Sequence, residues 1–598
     1  MSPSSPLEIE SPVSVQIKAD GAAIDDTYQL VSIDIWNAVN KVPRARLVFF
    51  DGDMPQGTFP VSDAATFLPG AAIDVSVGYG DDRTSLFSGI VVRHSIEIPH
   101  DKEGATLVVE LADKAIKMTV ARNTAVSEKK KDSDVLSTLI GSHGLSSDIS
   151  ATETEHEAIV QFDATDWDTL LTRAEMNGMI VITDAGKVSV KPPETSGQAA
   201  LEVVYGVSLM EFRAELDAVS QYSTGALKSV AWDSAQQKLI ESSTASAEVT
   251  QPGNVSTDTL AQVLNVSTFQ RVTSGFVQQA DLTAWSSAEL MRSKLAKNCG
   301  QVSFQGSALA KTGTMLELKG VGDRFNGNVF IGGVHHSIKD GDWITHVDFG
   351  LPAGWHAQQR PSAFAPAAGH LPPIRGLQTG VVKKIHEDPS GAYRVEVTLP
   401  LVQSEPSSVW ARLANPYSSD AVGMTFYPEI GDEVIVGFMN EDPRFAVVLG
   451  SVYSSKFAPP YPADEKNKIK GLKTKSKMEL TFDDEDKIIT LKTPGGHVLV
   501  MDDKQGSISI TDSNKNSMVF GKEGITIDSA SKIAITAKTD ISITATGNLS
   551  LKATQNATCE GLKIDLKAQT TLSAQGNASA ELKASGPVTV QGAIVQIN

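Results

Sequence analysis

Cysteine is nearly absent from this chain of 598 residues, which has only Cys299 and Cys559. Two cysteines so far apart can form neither a disulfide framework nor a paired zinc site, so we expect maturation in a reducing compartment. No run approaches the ~18 consecutive apolar residues of a membrane-spanning helix. The first residues lack the basic and apolar regions of a signal peptide, so export would need a route other than general secretion.

An excess of basic residues is also lacking. The 71 Asp and Glu outnumber the 52 Lys and Arg, and the net charge is −19. Because phosphate binding needs a basic surface, the composition excludes nucleic acid as the main partner. The run Lys129–Lys131 is interpreted as a solvated loop.

The motifs of common enzyme classes are missing as well. The chain contains no HExxH, GxSxG or GxxxxGK[ST] pattern, so zincin, hydrolase and P-loop chemistry have no support. His335 and His336 lie close to His346 in sequence, but adjacent strand residues face opposite sides and cannot easily share a metal ion. Asp483–Asp486 lacks the spacing of a calcium loop and is interpreted as a hairpin turn. We predict no catalytic residue, no cofactor and no metal site, and hence no enzyme.

What the chain does contain is a long series of short alternating segments. Its length predicts three or four domains. Alternation between residues 12 and 120 predicts strands. The 3.6-residue period predicts helices at Ser133–His143, Asp166–Asn177 and Leu282–Lys297. We expect Asp132 or Ser133 to cap the first helix, and Asp281 or Thr283 to cap the third, with Gly300 as its stop.

The order of strands, helices and strands occurs twice before residue 355. This order predicts two barrel-like β domains with small α/β inserts in residues 1–355. Residues 356–375 are rich in Pro, Ala and Gly and are interpreted as a linker. Five short strands between Gly376 and Val452 predict a small closed barrel such as an OB-fold, in residues 376–456. The remaining segment, 457–598, ends in a repeat.

The repeat is an apolar pair that recurs every eight residues from about residue 524. It runs through nine turns with one spacing of seven. Alternation predicts a strand of roughly five residues and a corner of roughly three in each unit. The predicted core positions are Ile525, Ile527, Ile533, Ile535, Ile541, Ile543, Leu549, Leu551, Ile564, Leu566, Val588 and Val590.

Each unit of the repeat offers only two medium-sized apolar side chains, too few for the core of a single-chain solenoid. Three intertwined chains would triple that number and would pair every strand edge. The pattern therefore predicts a homotrimeric, triple-stranded β-helix. The fold class is accordingly mainly β, with two barrel-like domains, an OB-fold and this C-terminal trimeric helix.

One segment carries a family resemblance. Phe426–Tyr453 reads FYPEIGDEVIVGFMNEDPRFAVVLGSVY and is followed by SSKFAPPY. It resembles the OB-fold signature of VgrG proteins, phage baseplate spikes and related tips of contractile injection systems. Segments 132–145, 161–178 and 328–343 are similar to parts of the hub domain of that family. The first 120 residues look closer to spikes of extracellular, phage-tail-like particles than to type VI secretion tips.

The resemblance implies a structural spike rather than a catalyst. Residues 1–355 would be the hub, residues 376–456 the barrel and residues 457–598 the needle. The implied partners are two further copies, a hexameric tail tube, baseplate proteins, cargo effectors, a PAAR-like tip protein and the target membrane during puncture. The implied location is a bacterial cytoplasm during assembly and then a phage-tail-like particle, cytoplasmic or released.

Three alternatives remain at this stage. The protein could be the central spike of a type VI secretion system or of a contractile phage baseplate. It could be a trimeric tailspike that degrades glycans, which would need carboxylates at catalytic separation, whereas Asp528, Asp540, Asp565 and Glu581 are scattered. It could also be an adhesin, which should show an aromatic-rich tip.

The last residues predict a docking site. The sequence ends in a plain strand, with no room for a lysozyme domain after the barrel and no effector after the needle. Three copies of this strand would form a blunt platform with open edges and exposed apolar side chains. We expect a small partner to cover Ile594, Val595, Ile597 and Asn598.

Overall fold

The computed structural model describes residues 4–6, 11–100, 104–223, 225–275, 277–359, 365–403 and 405–597. They fall into two compact units, Met1–Val452 and Tyr453–Asn598, which are treated separately below. Among the described residues, no helix combines the length and the apolarity needed to cross a bilayer.

The first strands form one half of a large antiparallel sheet and confirm the predicted alternation. They are β1 (Val13–Ala19), β2 (Ala22–Ala23), β3 (Leu30–Ala38), β4 (Arg44–Asp51), β5 (Ala72–Tyr79), β6 (Asp82–Glu97) and β7 (Ala105–Ala112). Their inward side chains, which include Phe49 and Leu107, form a core with Phe67 of the connection between β4 and β5, and all three are fully buried.

A small α/β insert follows, as predicted. It comprises β8 (Arg122–Lys131), α1 (Asp132–Ser142), β9 (Ser146–Ile149), β10 (Glu155–Thr165), α2 (Asp166–Met176), β11 (Ile180–Asp184) and β12 (Lys187–Lys191). Strands β8 and β10 form a two-stranded ribbon, and β11, β12 and β9 form a small mixed sheet. The helices pack on that sheet through Leu136, Leu170 and Leu171.

The second half of the hub adds further strands and two helices. They are β13 (Leu201–Val204), β14 (Leu209–Leu216), β15 (Leu227–Asp233), β16 (Lys238–Glu241), α3 (Thr257–Leu264), β17 (Phe269–Thr273), α4 (Gln279–Ala296), β18 (Asn298–Gln305), β19 (Met315–Lys319), β20 (Gly327–Lys339) and β21 (Asp342–Phe349). A second core forms around Phe304, Leu316 and Val347.

The two halves share one thirteen-stranded sheet. Its main path runs β14-β18-β21-β20-β3-β4-β7-β6-β5-β1-β2, and β13 joins it through β19, which pairs with β20. The junction is the antiparallel pair of β20 and β3, which aligns His335 with Trp36. Ile338 and Trp343 of the second half belong to the core of the first. The two halves of the hub are therefore joined through both backbone and core.

Two predicted helix caps and one predicted stop are wrong. Neither α1 nor α4 has a side-chain cap, and the N-cap residues are Lys131 and Gln278. The Asp132 carboxylate instead accepts hydrogen bonds from Arg173 Nε at 2.5 Å and Asn177 Nδ2 at 2.9 Å. Gly300 lies inside β18, because α4 passes into that strand without a loop. Tertiary ion pairing thus takes the carboxylate away from the local cap.

The barrel has the five predicted strands. A short helix, α5 (His356–Gln359), lies in the segment predicted as a linker and contacts α2 of the hub. The strands that follow are β22 (Gln378–Lys384), β23 (Val395–Thr398), β24 (Ser408–Leu413), β25 (Ser418–Ser419), β26 (Val422–Gly423), β27 (Glu433–Phe438) and β28 (Ala446–Ser451). Strands β22, β23, β24, β28 and β27 close into a barrel. Val397, Val434 and Val436 fill it. The predicted OB-type barrel is confirmed.

The second unit is a meander followed by residues without regular structure in a single chain. Its strands are β29 (Ile469–Lys473), β30 (Glu479–Asp483), β31 (Ile488–Lys492), β32 (Val498–Asp502), β33 (Ser507–Thr511), β34 (Ser517–Gly521) and β35 (Gly524–Asp528). Each pairs with the next in antiparallel order. Asp483–Asp486 makes the turn between β30 and β31, as predicted: Asp483 Oδ1 accepts from the N–H groups of Glu485 and Asp486, both at 3.0 Å.

Candidate functional site: the apolar rows of the second unit

The meander carries two unbroken rows of apolar side chains on one face. Neighbours within a row are direct cross-strand partners. The longer row consists of Leu472, Leu480, Leu491, Leu499, Ile510, Met518 and Ile527. The shorter row consists of Phe482, Ile489, Met501, Ile508, Phe520 and Ile525. Members of the two rows on one strand are two positions apart, and such residues share a face of the sheet.

Among the described residues of the second unit, none covers these rows. None of the described residues 453–597 is buried, whereas the rest of the chain has several hydrophobic cores. A sheet with one apolar face is stable only when that face packs against another layer. The described residues of the second unit do not supply that layer themselves.

The predicted needle positions begin where the rows end. Ile525 and Ile527 are the last members of the shorter and the longer row. All twelve predicted core side chains are between 48% and 84% exposed in the single chain. The described residues 529–597 form no strand with one another. Their backbone groups and apolar pairs lack the partners that a β-helix would give them, so the predicted role of these twelve residues stays a prediction.

The predicted docking residues are also exposed. Ile594, Val595 and Ile597 lie open to solvent at the end of the described repeat, and Ile597 is 90% exposed. Asn598, the fourth predicted docking residue, lies outside the described residues.

The rows between residues 472 and 523 were not predicted from the sequence. The signal was present, because the members of the longer row from Leu472 to Met518 are spaced alternately 8 and 11 residues apart. It was overlooked because the turns alternate between five and four residues as far as β34, so the apolar positions do not recur at one constant spacing as they do in the octads. Cross-strand register, which brings Leu480 opposite both Leu472 and Leu491, is visible only in the folded sheet.

Several residues of the barrel segment Phe426–Tyr453 form its turns. Gly431 has φ of +93°, a conformation that glycine adopts without a Cβ clash. Asp432 Oδ2 accepts from the Glu429 N–H at 2.9 Å. Asp442 is buried, and its carboxylate binds the guanidinium of Arg444, with Oδ2 2.6 Å from Nη2. This contact lowers the pKa of Asp442. These residues fix the corners of β27 and β28.

His335, His336 and His346 lie as the strand geometry predicts. His336 is buried beside Thr345, and burial lowers its pKa to about 3. His335 faces the other side, where it stacks between Trp36 and His346 with ring centroids 4.9 Å and 5.3 Å away. Its Nε2 lies 2.9 Å from Asp34 Oδ1. Within the described ranges, no cluster of three or more His, Cys, Asp or Glu side chains could hold a metal ion.

A buried ion-pair network in the hub was also missed. Arg271 pairs with Glu289, and its guanidinium lies between Trp285 and Trp355, 4.4 Å and 4.3 Å from the ring centroids. Trp355 Nε1 donates to Glu289 at 2.5 Å. Burial lowers the pKa of Arg271. The network anchors the segment that leaves the hub.

A second pair strengthens that anchor. Arg292 Nη1 lies 2.9 Å from Glu175 Oε1. Glu175 Oε2 in turn accepts from the His356 N–H at 2.8 Å, and Arg292 Nε donates to the Ala353 carbonyl at 3.2 Å. These contacts join residues more than 60 positions apart, so no local pattern in the sequence announces them.

Three family models match the chain. A model described as the Alg8 N-terminal domain matches residues 10–340. The type VI secretion system/phage-baseplate injector OB domain matches residues 378–453. The phage baseplate V C-terminal trimerisation domain matches residues 487–550, which include five of the seven meander strands and the first turns of the repeat.

Curated relatives resemble a smaller part of the chain. The type VI secretion system spike protein VgrG1b of Pseudomonas aeruginosa is 32% identical over 113 residues, which are 18% of this chain and 15% of that protein. The actin cross-linking toxin VgrG1 of Vibrio cholerae is 34% identical over 86 residues, 14% of this chain and 8% of that protein. The chain thus spans less than a fifth of the length of these relatives.

Solved structures give more distant likenesses. The 43 kDa tail protein of prophage MuSo2 from Shewanella oneidensis has a TM-score of 0.42 at 13% identity and covers 57% of this chain and 99% of its own. A chain of the lidded Francisella PdpA–VgrG complex has a TM-score of 0.38 at 9% identity and covers 84% of this chain and 80% of its own.

Proposed function

Because the chain belongs to the family described by the Alg8 N-terminal domain model and is a VgrG-like spike protein, we propose that it works as a homotrimer, the spike of a contractile injection machine. The hub would join a hexameric tail tube and baseplate proteins on one side. The needle would meet the target membrane on the other. One observation carries this proposal. The second unit contains two apolar rows and an apolar repeat, yet none of its described residues is buried in the single chain.

Three copies are the number that the rows favour. A single meander exposes one apolar face, and three meanders can enclose those faces around one axis. The match of residues 487–550 to a trimerisation domain supports the same number. The octad repeat would continue the arrangement, with every strand edge paired by a neighbouring chain.

The proposed mechanism is mechanical. Contraction of a sheath drives the tube and its spike into a membrane, and the spike contributes stiffness and shape. A fully paired β structure suits that task because no free edge or loose loop is available to peel under load. We propose no catalytic step for this chain, and no cofactor or metal ion enters the mechanism. Any enzymatic effect would come from cargo effectors carried with it.

We also propose that Ile594, Val595, Ile597 and Asn598 of the three copies receive a PAAR-like tip protein. The large exposed apolar surface of the first three is a liability for a soluble particle unless another protein covers it. Assembly would take place in a bacterial cytoplasm, within a phage-tail-like particle of the extracellular contractile type.

Native mass spectrometry of the full chain tests the central proposal. We expect a complex of three copies. A species of one copy at micromolar concentration would overturn the proposal, because an isolated chain leaves both apolar rows in water.

The docking proposal has a separate test. Deletion of residues 593–598 should leave the trimer intact and abolish copurification of a PAAR-like protein. If the shortened trimer still retains that protein with unchanged stoichiometry, the docking site lies elsewhere.

A further inference from the structure

The barrel carries a projecting arm, which we define as residues 414–430, between β24 and β27. Strands β25 and β26 form its hairpin, and the Met424 N–H donates to the Tyr417 carbonyl at 2.9 Å. All six of its large apolar side chains are exposed, even with the rest of the described chain present. They are Tyr417, Val422, Met424, Phe426, Tyr427 and Ile430.

The composition of the arm makes this exposure costly. Asp420 and Glu429 are its only charged residues. Contiguous apolar surface of this kind on a soluble protein marks an interaction site. Aromatic side chains and Met are also the residues that interface cores favour over the rest of the surface. The arm therefore has the chemistry of an interface.

The tether between barrel and meander identifies the partner. Strand β28 ends at Ser451 and β29 begins at Ile469, so the connection reaches at most about 60 Å when fully extended. If three needles associate, three barrels are held near one axis at an effective concentration of the order of millimolar. An apolar patch too small to dimerise free barrels would then close between tethered ones.

We propose that the arm of one copy packs on the surface of the neighbouring copy in the trimer. This inference rests on the proposed homotrimer and adds a contact outside the needle. It gives the barrels a fixed position around the axis, because each arm holds the next copy.

Hydroxyl-radical footprinting of the full-length trimer tests the inference. Tyr417 and Tyr205 have the same chemistry and similar exposure in the single chain, 58% and 68%. Tyr205 lies in a hub turn and serves as the matched internal control. Rates are normalised to the chain unfolded in urea. We expect modification of Tyr417 to be slower than that of Tyr205 by about fivefold, because an interface core excludes water.

A variant separates neighbour contact from other causes of protection. In the double variant Met424→Asp/Phe426→Asp, native mass spectrometry should still show three copies, held by the needle, and Tyr417 should react as fast as Tyr205. Equal rates of the two tyrosines in the unmodified trimer would overturn the inference. So would slow modification of Tyr417 that persists in the double variant, or protection that appears only after another baseplate protein is added. A single-copy mass for the unmodified chain would instead overturn the proposed function.

Discussion

The hub and the second unit both contain strands in which apolar and polar residues alternate. The hub buries the apolar side chains of these strands, and the second unit leaves them exposed. In the hub, Phe49 and Leu47 of β4 are fully enclosed by strands and loops of the same chain. In the meander, Ile508 and Ile510 of β33 alternate in the same way and remain exposed. Alternation thus reports that a strand has an apolar face, and says nothing about which chain covers it.

The two sheets differ in the length of their strands and in how the strands are connected. The hub sheet has long strands and distant crossovers, so it can place residues from one end of the region over strands from the other. The meander has five-residue strands joined only to their sequence neighbours. A ribbon of that kind cannot fold back over its own face, so its apolar rows need a covering layer that the ribbon does not supply itself.

The largest expected effect comes from placing a charge in the repeat. Ile541→Asp should abolish the trimer, because three carboxylates would be buried together at a cost of several kcal/mol each. Ser542→Asp, one position along, should leave the trimer intact because that side chain would face solvent. Native mass spectrometry of both variants measures the number of copies in the complex. In the single chain the two sites are both exposed, so equal behaviour of the variants would contradict the intertwined arrangement.

A core truncation in the hub should act within one chain. Phe49→Ala should destabilise the hub by about 3–5 kcal/mol, because it empties a fully enclosed site. Phe50→Ala, on the neighbouring exposed side chain, should cost less than about 1 kcal/mol. Calorimetry should show a lower hub transition for Phe49→Ala and an unchanged needle transition. A parallel shift of both transitions would mean that the two units do not unfold independently.

The pH dependence of the hub should reveal a buried lysine. Lys297 is almost fully enclosed, its Nζ donates to the carbonyls of Pro252 and Val255 at 2.9 Å, and burial lowers its pKa to about 8. Between that value and the ordinary pKa of ~10.4, the unfolded chain binds more protons than the folded one. Stability should therefore rise with pH in this window, by up to ~1.4 kcal/mol per unit.

The matched variant for this window is Lys297→Met, which keeps the length of the side chain and removes the charge. Denaturant unfolding across this window should show a smaller rise in stability for the variant than for the unmodified chain. Identical slopes would mean that Lys297 titrates normally and that the ammonium reaches water.

The smallest effect is expected from one methyl group in the barrel. A Cβ at Gly380 would lie 2.8 Å from Val436 Cγ2 and would also clash with Val397. Gly380→Ala should therefore destabilise the barrel by about 1–3 kcal/mol. At Gly437 the nearest atoms to a new Cβ lie 3.5 Å and 3.7 Å away, so Gly437→Ala should be nearly neutral. Thermal unfolding of the two variants gives the comparison, and equal midpoints would contradict the packing at Gly380.

Periodicity predicted the elements of this chain better than their ends. Helices α1, α2 and α4 and the five barrel strands appear where the patterns place them. The predicted caps at Asp132 and Asp281 are wrong. Asp132 binds Arg173 of another helix, and Asp281 Oδ2 lies 3.8 Å from His156 Nδ1. A carboxylate near a helix start can serve a cap or a distant cation, and the sequence alone does not distinguish the two.

The candidate site was predictable only in its repetitive part. The octads are periodic along the chain, so Ile533 and Ile541 could be identified as a series. The meander rows alternate between two spacings along the chain, and the barrel arm has no repeat. The roles of Leu491 or Phe426 depend on cross-strand register and on exposure, which the folded chain supplies. The buried pair of Arg292 and Glu175 joins residues 117 positions apart and leaves no local trace.

The pairing of β3 with β20 also implies a delay during synthesis, because the two strands are far apart in the sequence. Asp34 and His335, which meet across these strands, are 301 positions apart. At translation rates of about 5–20 residues per second, β3 waits roughly 15–60 seconds for its partner to be made. During that interval the open edge of β3 is available to other nascent chains. The edge of β3 that pairs with β20 therefore stays without its partner for most of the synthesis of the hub.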